Sequence, residues 1–259
     1  MKRLFVISKL KQSGSIVSDS GDLSSYTELG WEIYVSGLRA KTMILEKKIT
    51  SNDFIMTHPD RMFMYRNMGP TVVGFNEEFI KSFDGEVIDL TNNLMKILDE
   101  HNFRELTDIE KKALIYNDAK LSFNPSKKFV CFVLRLRNWV SERGGPVDFW
   151  LEQMRIAKEN GYDVYCVGKE SDKFIPGYVK HVSLEDYVSL ISHELCERSL
   201  GPSSGCMLLN HAFGKSKTHI FFFSDDHNLI DRGDGNGHLL IFGKQGNLNF
   251  ENTIYYKAK

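Results

Sequence analysis

No apolar run in this sequence approaches the roughly 18 residues that a bilayer-spanning helix needs. The N-terminus, MKRLFVISKLKQSGS, holds an apolar run too short for a secretory leader and lacks a small-residue cleavage site. A cytoplasmic location is expected, in the host cytoplasm if the source is viral. Neither charge is in excess: 33 Lys+Arg against 34 Asp+Glu leave a formal net charge of −1, which removes any global electrostatic case for nucleic acid or a membrane surface. Cysteine is scarce, with four in the chain. Cys131, Cys166 and Cys206 sit inside apolar runs, as reduced buried thiols do. Cys196 and Cys206 lie between His193 and His211, but H-x2-C-x9-C-x4-H has neither the order nor the loop lengths of zinc modules. Core packing is the expectation there, and no metal. Low-complexity segments and short repeats are absent too.

What is present is an ordinary globular composition, 42% hydrophobic and 26% charged, over 259 residues. That length holds one large domain or two modest ones. Residues 1–66 carry 10 Lys+Arg against 7 Asp+Glu, whereas residues 67–125 carry 6 against 11. Such an asymmetry marks either solvated surface or the wall of a cleft. In the first half, KRLFVISK, WEIYVSG, Phe54 to Thr57 and PTVVGF read as strands, the third breaking at Pro59. A charged amphipathic segment follows, in which Thr107 and Glu110 have the spacing of a capping box. Asn124-Pro125-Ser126 interrupts the pattern, so residues 1–125 and 126–259 are read as two domains.

From Lys128 the alternation restarts. KFVCFVLRLR reads as a strand, Val147 to Asn160 as a helix stopped by Gly161, DVYCVG as a strand, LEDYVSLISHELCER as a helix and THIFFF as a strand. Continuously apolar strands alternating with helices predict an α/β fold, with two Rossmann-like domains whose parallel sheets are covered on both faces. The tail from Gly233 reads only as turns and short strands.

Ligands of such sheets bind outside the carboxyl ends of the strands, where helix N-termini present free N–H groups. Ser203-Ser204-Gly205 stands at a junction of that kind. Gly205 admits a ligand to the backbone, the serines add hydroxyls, and the helix terminus favours an anion such as phosphate. Plain serine capping of a helix is the alternative.

The order of these pieces resembles the donor-binding half of GT-B glycosyltransferases, especially the heptosyltransferase-like group. The matching positions are Gly161, Tyr162, Val164, Val167, Gly168, Ser183, Leu184, Glu185, Leu190, Ile191, Gly201, Ser203, Ser204, Gly205, Ala212 and Gly214. The resemblance implies two domains facing across a cleft and transfer of a sugar from a nucleotide-sugar to an acceptor hydroxyl. Ser203, Ser204 and Gly205 would then hold the diphosphate, and Glu185 would face the nucleoside. Arg135 and Arg137, ending the first strand of this half, would neutralise the leaving group without a metal. Where that group carries Asp and His, this chain has Ser203 and Leu208, a departure that argues against heptose as the donor sugar.

Inverting transfer needs a general base near the acceptor. By the same resemblance Asp22, after Gly21, is the first candidate and Asp19 the second; a helix-capping role for this loop is the alternative. His58 and Asp60 follow a strand at its carboxyl end and are candidates for acceptor binding or for the base. A retaining reaction would need no such base. Asp225-Asp226 evokes the metal-binding Asp-x-Asp of other glycosyltransferases, but it lacks the intervening residue and reads as a strand-end turn. For the acceptor, compact enzymes of the architecture this chain resembles include bacteriophage transferases acting on hydroxymethylated bases in double-stranded DNA, and the basic residues Lys9, Lys11, Arg39, Lys41, Lys47 and Lys48 would then meet phosphates. A saccharide or lipid-linked acceptor is the alternative, as is a non-catalytic nucleotide or sugar binder.

Overall fold

The computed structural model describes residues 1–9, 29, 32–91, 106–134, 144–167, 176–202, 205–223 and 250–257. The chain divides into two compact units, Met1–Asp118 and Ala119–Lys259. The division falls a little before the Asn124-Pro125-Ser126 break, because Lys120 and Ser122 donate their backbone N–H groups to Glu185 (3.1 Å) and Asp186 (2.7 Å) of the second unit.

The first unit is built on a four-stranded parallel sheet in the order β3-β2-β1-β4, with β1 Arg3–Val6, β2 Phe54–Thr57, β3 Thr71–Gly74 and β4 Glu86–Asp89. Leu4, Phe5, Val6 and Ile7 are all buried, the pattern of a strand covered on both faces. Beside the sheet, α1 (Gly37–Leu45) continues a single π-helical turn, Glu32–Ser36, and packs on α3 (Asp108–Ile115). Around α2 (Glu77–Ser82), Phe79, Ile80 and Phe83 pack against Leu4, Val6 and Met56. At the amino ends of the strands, Arg3 donates to both oxygens of the buried Asp53, at 2.9 and 2.7 Å.

The segment WEIYVSG, read as a strand, is helical from Glu32 onward. A run buried on every side carries no period that separates strand from helix, and Ile33, Tyr34, Val35, Leu38, Ala40 and Ile44 are all buried. The capping box does form: the Glu110 carboxylate accepts from Thr107 N–H at 2.9 Å while the Thr107 hydroxyl accepts from Glu110 N–H at 3.3 Å. Thr107→Ala should therefore lower the stability of the first unit by about 1 kcal/mol; a urea midpoint unchanged by the substitution would refute this.

The second unit holds a six-stranded, all-parallel sheet in the order β10-β9-β8-β5-β6-β7. Its strands are β5 Phe129–Val133, β6 Asp163–Val167, β7 Val179–His181, β8 Cys196–Pro202, β9 Lys217–Phe222 and β10 Thr253–Lys257. The helices are α4 (Val147–Glu159), α5 (Leu184–Ile191) and α6 (Gly205–Phe213). Trp150, Met154 and Ala157 of α4 bury against Val130, Phe132, Val164 and Cys166, while α5 packs on α6 and on the sheet. Gly161 ends α4 as its sequence position predicts, at φ +83°.

One expectation is corrected here. The helix read through LEDYVSLISHELCER stops at Ile191, and Cys196–Pro202 is a strand between β5 and β9. Its polar residues hid it. Ser199 is nevertheless buried, donating to Asn210 of α6 at 2.7 Å, and Glu197 pairs with Lys128 at 3.1 Å. In the tail, Thr253–Lys257 adds a sixth parallel strand beside β9.

Candidate functional site

Renumbered along the second unit, the order β10-β9-β8-β5-β6-β7 is 6-5-4-1-2-3, the doubly wound arrangement. It reverses direction between β5 and β8, which pair in parallel. Crossovers on the two sides of that point run to opposite faces, opening a crevice at the carboxyl ends of those two strands. Of the sequence candidates after β8 and β5, only Gly205 is among the described residues. Gly205 is the first residue of α6, a nine-residue helix, so the positive end of the helix dipole lies at this edge of the sheet. One step earlier, Gly201 is fixed by packing: a Cβ there would meet Met207 Sδ at 2.6 Å and Val133 Cβ at 2.9 Å. The chain of β8 thus runs flush against α6 before turning into it.

Glu185 lies in the first turn of α5, which leaves the carboxyl end of β7 on the same sheet edge. Its carboxylate accepts from Lys120 N–H, while the neighbouring Asp186 caps the helix with Ser183 at 2.8 Å. Asp19, Asp22, Arg135, Arg137, Ser203, Ser204 and the Asp225-Asp226 pair lie outside the described residues. Among the described residues no group of three His, Cys, Asp or Glu side chains is arranged to hold a metal ion.

In the first unit, His58 and Asp60 stand where expected, at the carboxyl end of β2. His58 caps the 3-10 turn Pro59–Met64, its Nδ1 lying 3.3 Å from Asp60 N and 2.8 Å from the Asp60 carboxylate. Behind this turn is a buried polar network that the sequence reading missed. The fully buried Glu32 accepts from Arg61 at 2.5 Å, from Tyr65 at 3.0 Å and from Thr57. Arg61 also donates to Ser8 at the end of β1, at 3.3 Å. Gly37 makes this possible, since a Cβ there would collide with the Tyr65 hydroxyl and the Glu32 carbonyl. Burial and the adjacent Glu32 carboxylate push the Tyr65 hydroxyl well above its ordinary range. The network locks the turn carrying His58 and Asp60 to β1 and to the π-helical turn. A lone acidic residue inside an apolar run was the signal available for it.

The carboxyl ends of β1 and β4 form the switch point of this smaller sheet, and β4 too escaped the sequence reading. Its four residues follow Gly85, where any Cβ would strike the Lys2 carbonyl.

No protein-family model matches the chain, and no curated protein matches it in sequence. Solved structures do match. The chain is similar to Escherichia coli ADP-heptose lps heptosyltransferase II, with a TM-score of 0.54 and 10% identity over 99% of this chain and 90% of that one. It is likewise similar to the glycosyl transferase family 9 protein from Veillonella parvula, with a TM-score of 0.52 and 9% identity over 99% and 86% of the two chains. At these identities the likeness is one of fold, and the fold is that of the GT-B glycosyltransferases.

Proposed function

We propose that the chain is a glycosyltransferase that moves a sugar from a nucleotide-sugar bound by the second unit to a hydroxyl of a saccharide acceptor bound by the first. The observation that supports this reading is the β5/β8 switch point: Gly205 opens the helix that comes after β8, and Arg135 and Arg137 come after β5 in the sequence. In the reaction, the acceptor oxygen loses its proton to a base as it attacks the anomeric carbon, and the bond from that carbon to the diphosphate breaks. The Gly205 N–H, the Ser203 and Ser204 hydroxyls and the two arginines receive the charge that develops on the departing diphosphate. They do so without a metal ion, so turnover should survive a chelator. Asp22 is the preferred base, with Asp19, His58 and Asp60 as the other candidates in this unit.

A hydroxymethylated base in DNA has no support as the acceptor. The net charge gives it none, and one solved neighbour is the Escherichia coli ADP-heptose lps heptosyltransferase II. The saccharide alternative takes its place. Ser203 and Leu208 still argue for a donor sugar other than heptose.

A thermal-shift series of the full chain with ADP, UDP, GDP and their sugar conjugates tests the donor site. A ligand at about 100 times its Kd stabilises the native state by about 2.7 kcal/mol, enough to move the melting temperature by several degrees. Replacing Ser203 and Ser204 together with alanine should weaken that response by roughly tenfold or more in concentration. If no nucleoside diphosphate shifts the native protein, the donor assignment is wrong.

A further inference from the structure

The order β3-β2-β1-β4 reverses direction at β1, so in the first unit the crevice opens at the carboxyl ends of β1 and β4. The two strands are in register there, Val6 opposite Asp89, and Leu90 N–H donates to Val6 carbonyl at 2.9 Å. Asp89 ends β4. One of its carboxylate oxygens accepts from the backbone N–H of Thr91 at 2.8 Å and from the Thr91 hydroxyl at 2.6 Å. The other lies 2.5 Å from the ammonium of Lys9, which follows β1. Thr91 is buried, whereas the Lys9 and Asp89 side chains remain 26% and 23% exposed.

This pair is held more firmly than the stability of the fold requires. The strands are already tied by their ladder, with Glu86 N–H donating to the Lys2 carbonyl at 3.1 Å at the amino ends, and a partly exposed ion pair adds at most about 1 kcal/mol. Two bonds from Thr91 stop the Asp89 carboxylate from rotating. Its second oxygen faces the edge of the sheet beside a cation. A carboxylate that accepts a hydroxyl proton, next to an ammonium that donates to a hydroxyl oxygen, complements a pair of neighbouring sugar hydroxyls. An apolar acceptor would gain nothing from it.

We infer that Asp89 and Lys9, with Thr91 as the positioning residue, form an acceptor subsite that grips vicinal hydroxyls of a sugar ring. The inference rests on the glycosyltransferase reading and assigns it a saccharide-binding pair on the first unit. Asp89 binds and orients the acceptor here, and the base is a separate group.

The test uses the full chain and methyl glycosides of glucose, galactose and mannose as probes, followed by saturation-transfer NMR, with the nucleoside diphosphate thermal shift recorded on the same samples. The unsubstituted chain should bind at least one glycoside, and Asp89→Asn and Lys9→Met should each weaken that binding roughly tenfold or more. The nucleotide response of both variants should stay unchanged, since they lie in the other unit. Lys9→Met leaves the Asp89–Thr91 turn intact, so it reads the subsite even if Asp89→Asn unfolds the strand end. Glycoside binding that is absent from the unsubstituted chain, or equal in all three proteins, overturns the inference. Glycoside binding that falls in both variants while no nucleotide binds would uphold the subsite and sink the donor assignment instead.

Discussion

Glu32→Ala should destabilise the first unit by about 3–5 kcal/mol, a large part of the roughly 5–15 kcal/mol that holds a domain together. The substitution leaves the Arg61 guanidinium buried without its carboxylate, and it strips the hydroxyls of Thr57 and Tyr65 of their acceptor. Glu32→Gln keeps an acceptor for those hydroxyls but not the charge, and should fall between the two. Urea unfolding of the three proteins measures this. A loss below about 1 kcal/mol for Glu32→Ala would mean that Arg61 finds water when its partner is removed. Because the network anchors the turn bearing His58 and Asp60, the alanine variant should also lose structure at the carboxyl end of β2, visible as faster amide exchange there.

Lys41→Met should stabilise the protein at neutral pH and erase a pH dependence that the native chain shows. Lys41 is buried on α1; its ammonium donates to the Tyr116 carbonyl at 2.6 Å and lies 5.4 Å from the centre of the Tyr65 ring. Burial pulls its pKa down to about 7, and the charge of Glu32 opposes that only in part. Between about 7 and the ordinary 10.5 the unfolded chain holds this proton more tightly than the folded one. Stability must then rise with pH across that window, and below it the cost of burying the charge is fully present. With allowance for relaxation around the ammonium, the rise should reach about 3 kcal/mol. Tyr65, whose hydroxyl is pushed up by burial, acts in the opposite sense above its ordinary pKa of 10.0. His219 and the buried thiols of Cys131 and Cys196 are shifted as well, so the difference between the native chain and Lys41→Met over pH 7 to about 8.5 reads the lysine. A difference that is flat over this range, or a methionine variant no more stable at pH 7, would contradict the assignment.

Much of the second unit was legible in the chain because its signals are local. Five continuously apolar residues, Phe129 to Val133, make a strand buried on both faces, and Gly161 marks a helix end by its freedom to adopt positive φ. The Thr107 capping box is equally local, with both of its hydrogen bonds made within one helical turn. The segments that failed depend on partners far away in sequence. Glu32–Ser36 is helical because Arg61, Thr57 and Tyr65 surround its carboxylate, and Cys196–Pro202 is a strand because β5 and β9 supply hydrogen bonds on either side. Among the described candidates, the sequence proposed His58 and Asp60 by their place after a strand. It gave no reason to join Lys9 to Asp89, which lie eighty residues apart and meet at 2.5 Å.

By itself, then, the sequence determined the fold class and the positions of the helices and of three of the six strands in the second unit. Only the tertiary structure decided which strands are neighbours, and so where each sheet reverses direction and opens a crevice. The reason is physical. Hydrophobic period and turn chemistry act over a few residues, whereas strand order is set by long-range pairing and by the burial of both sheet faces at once.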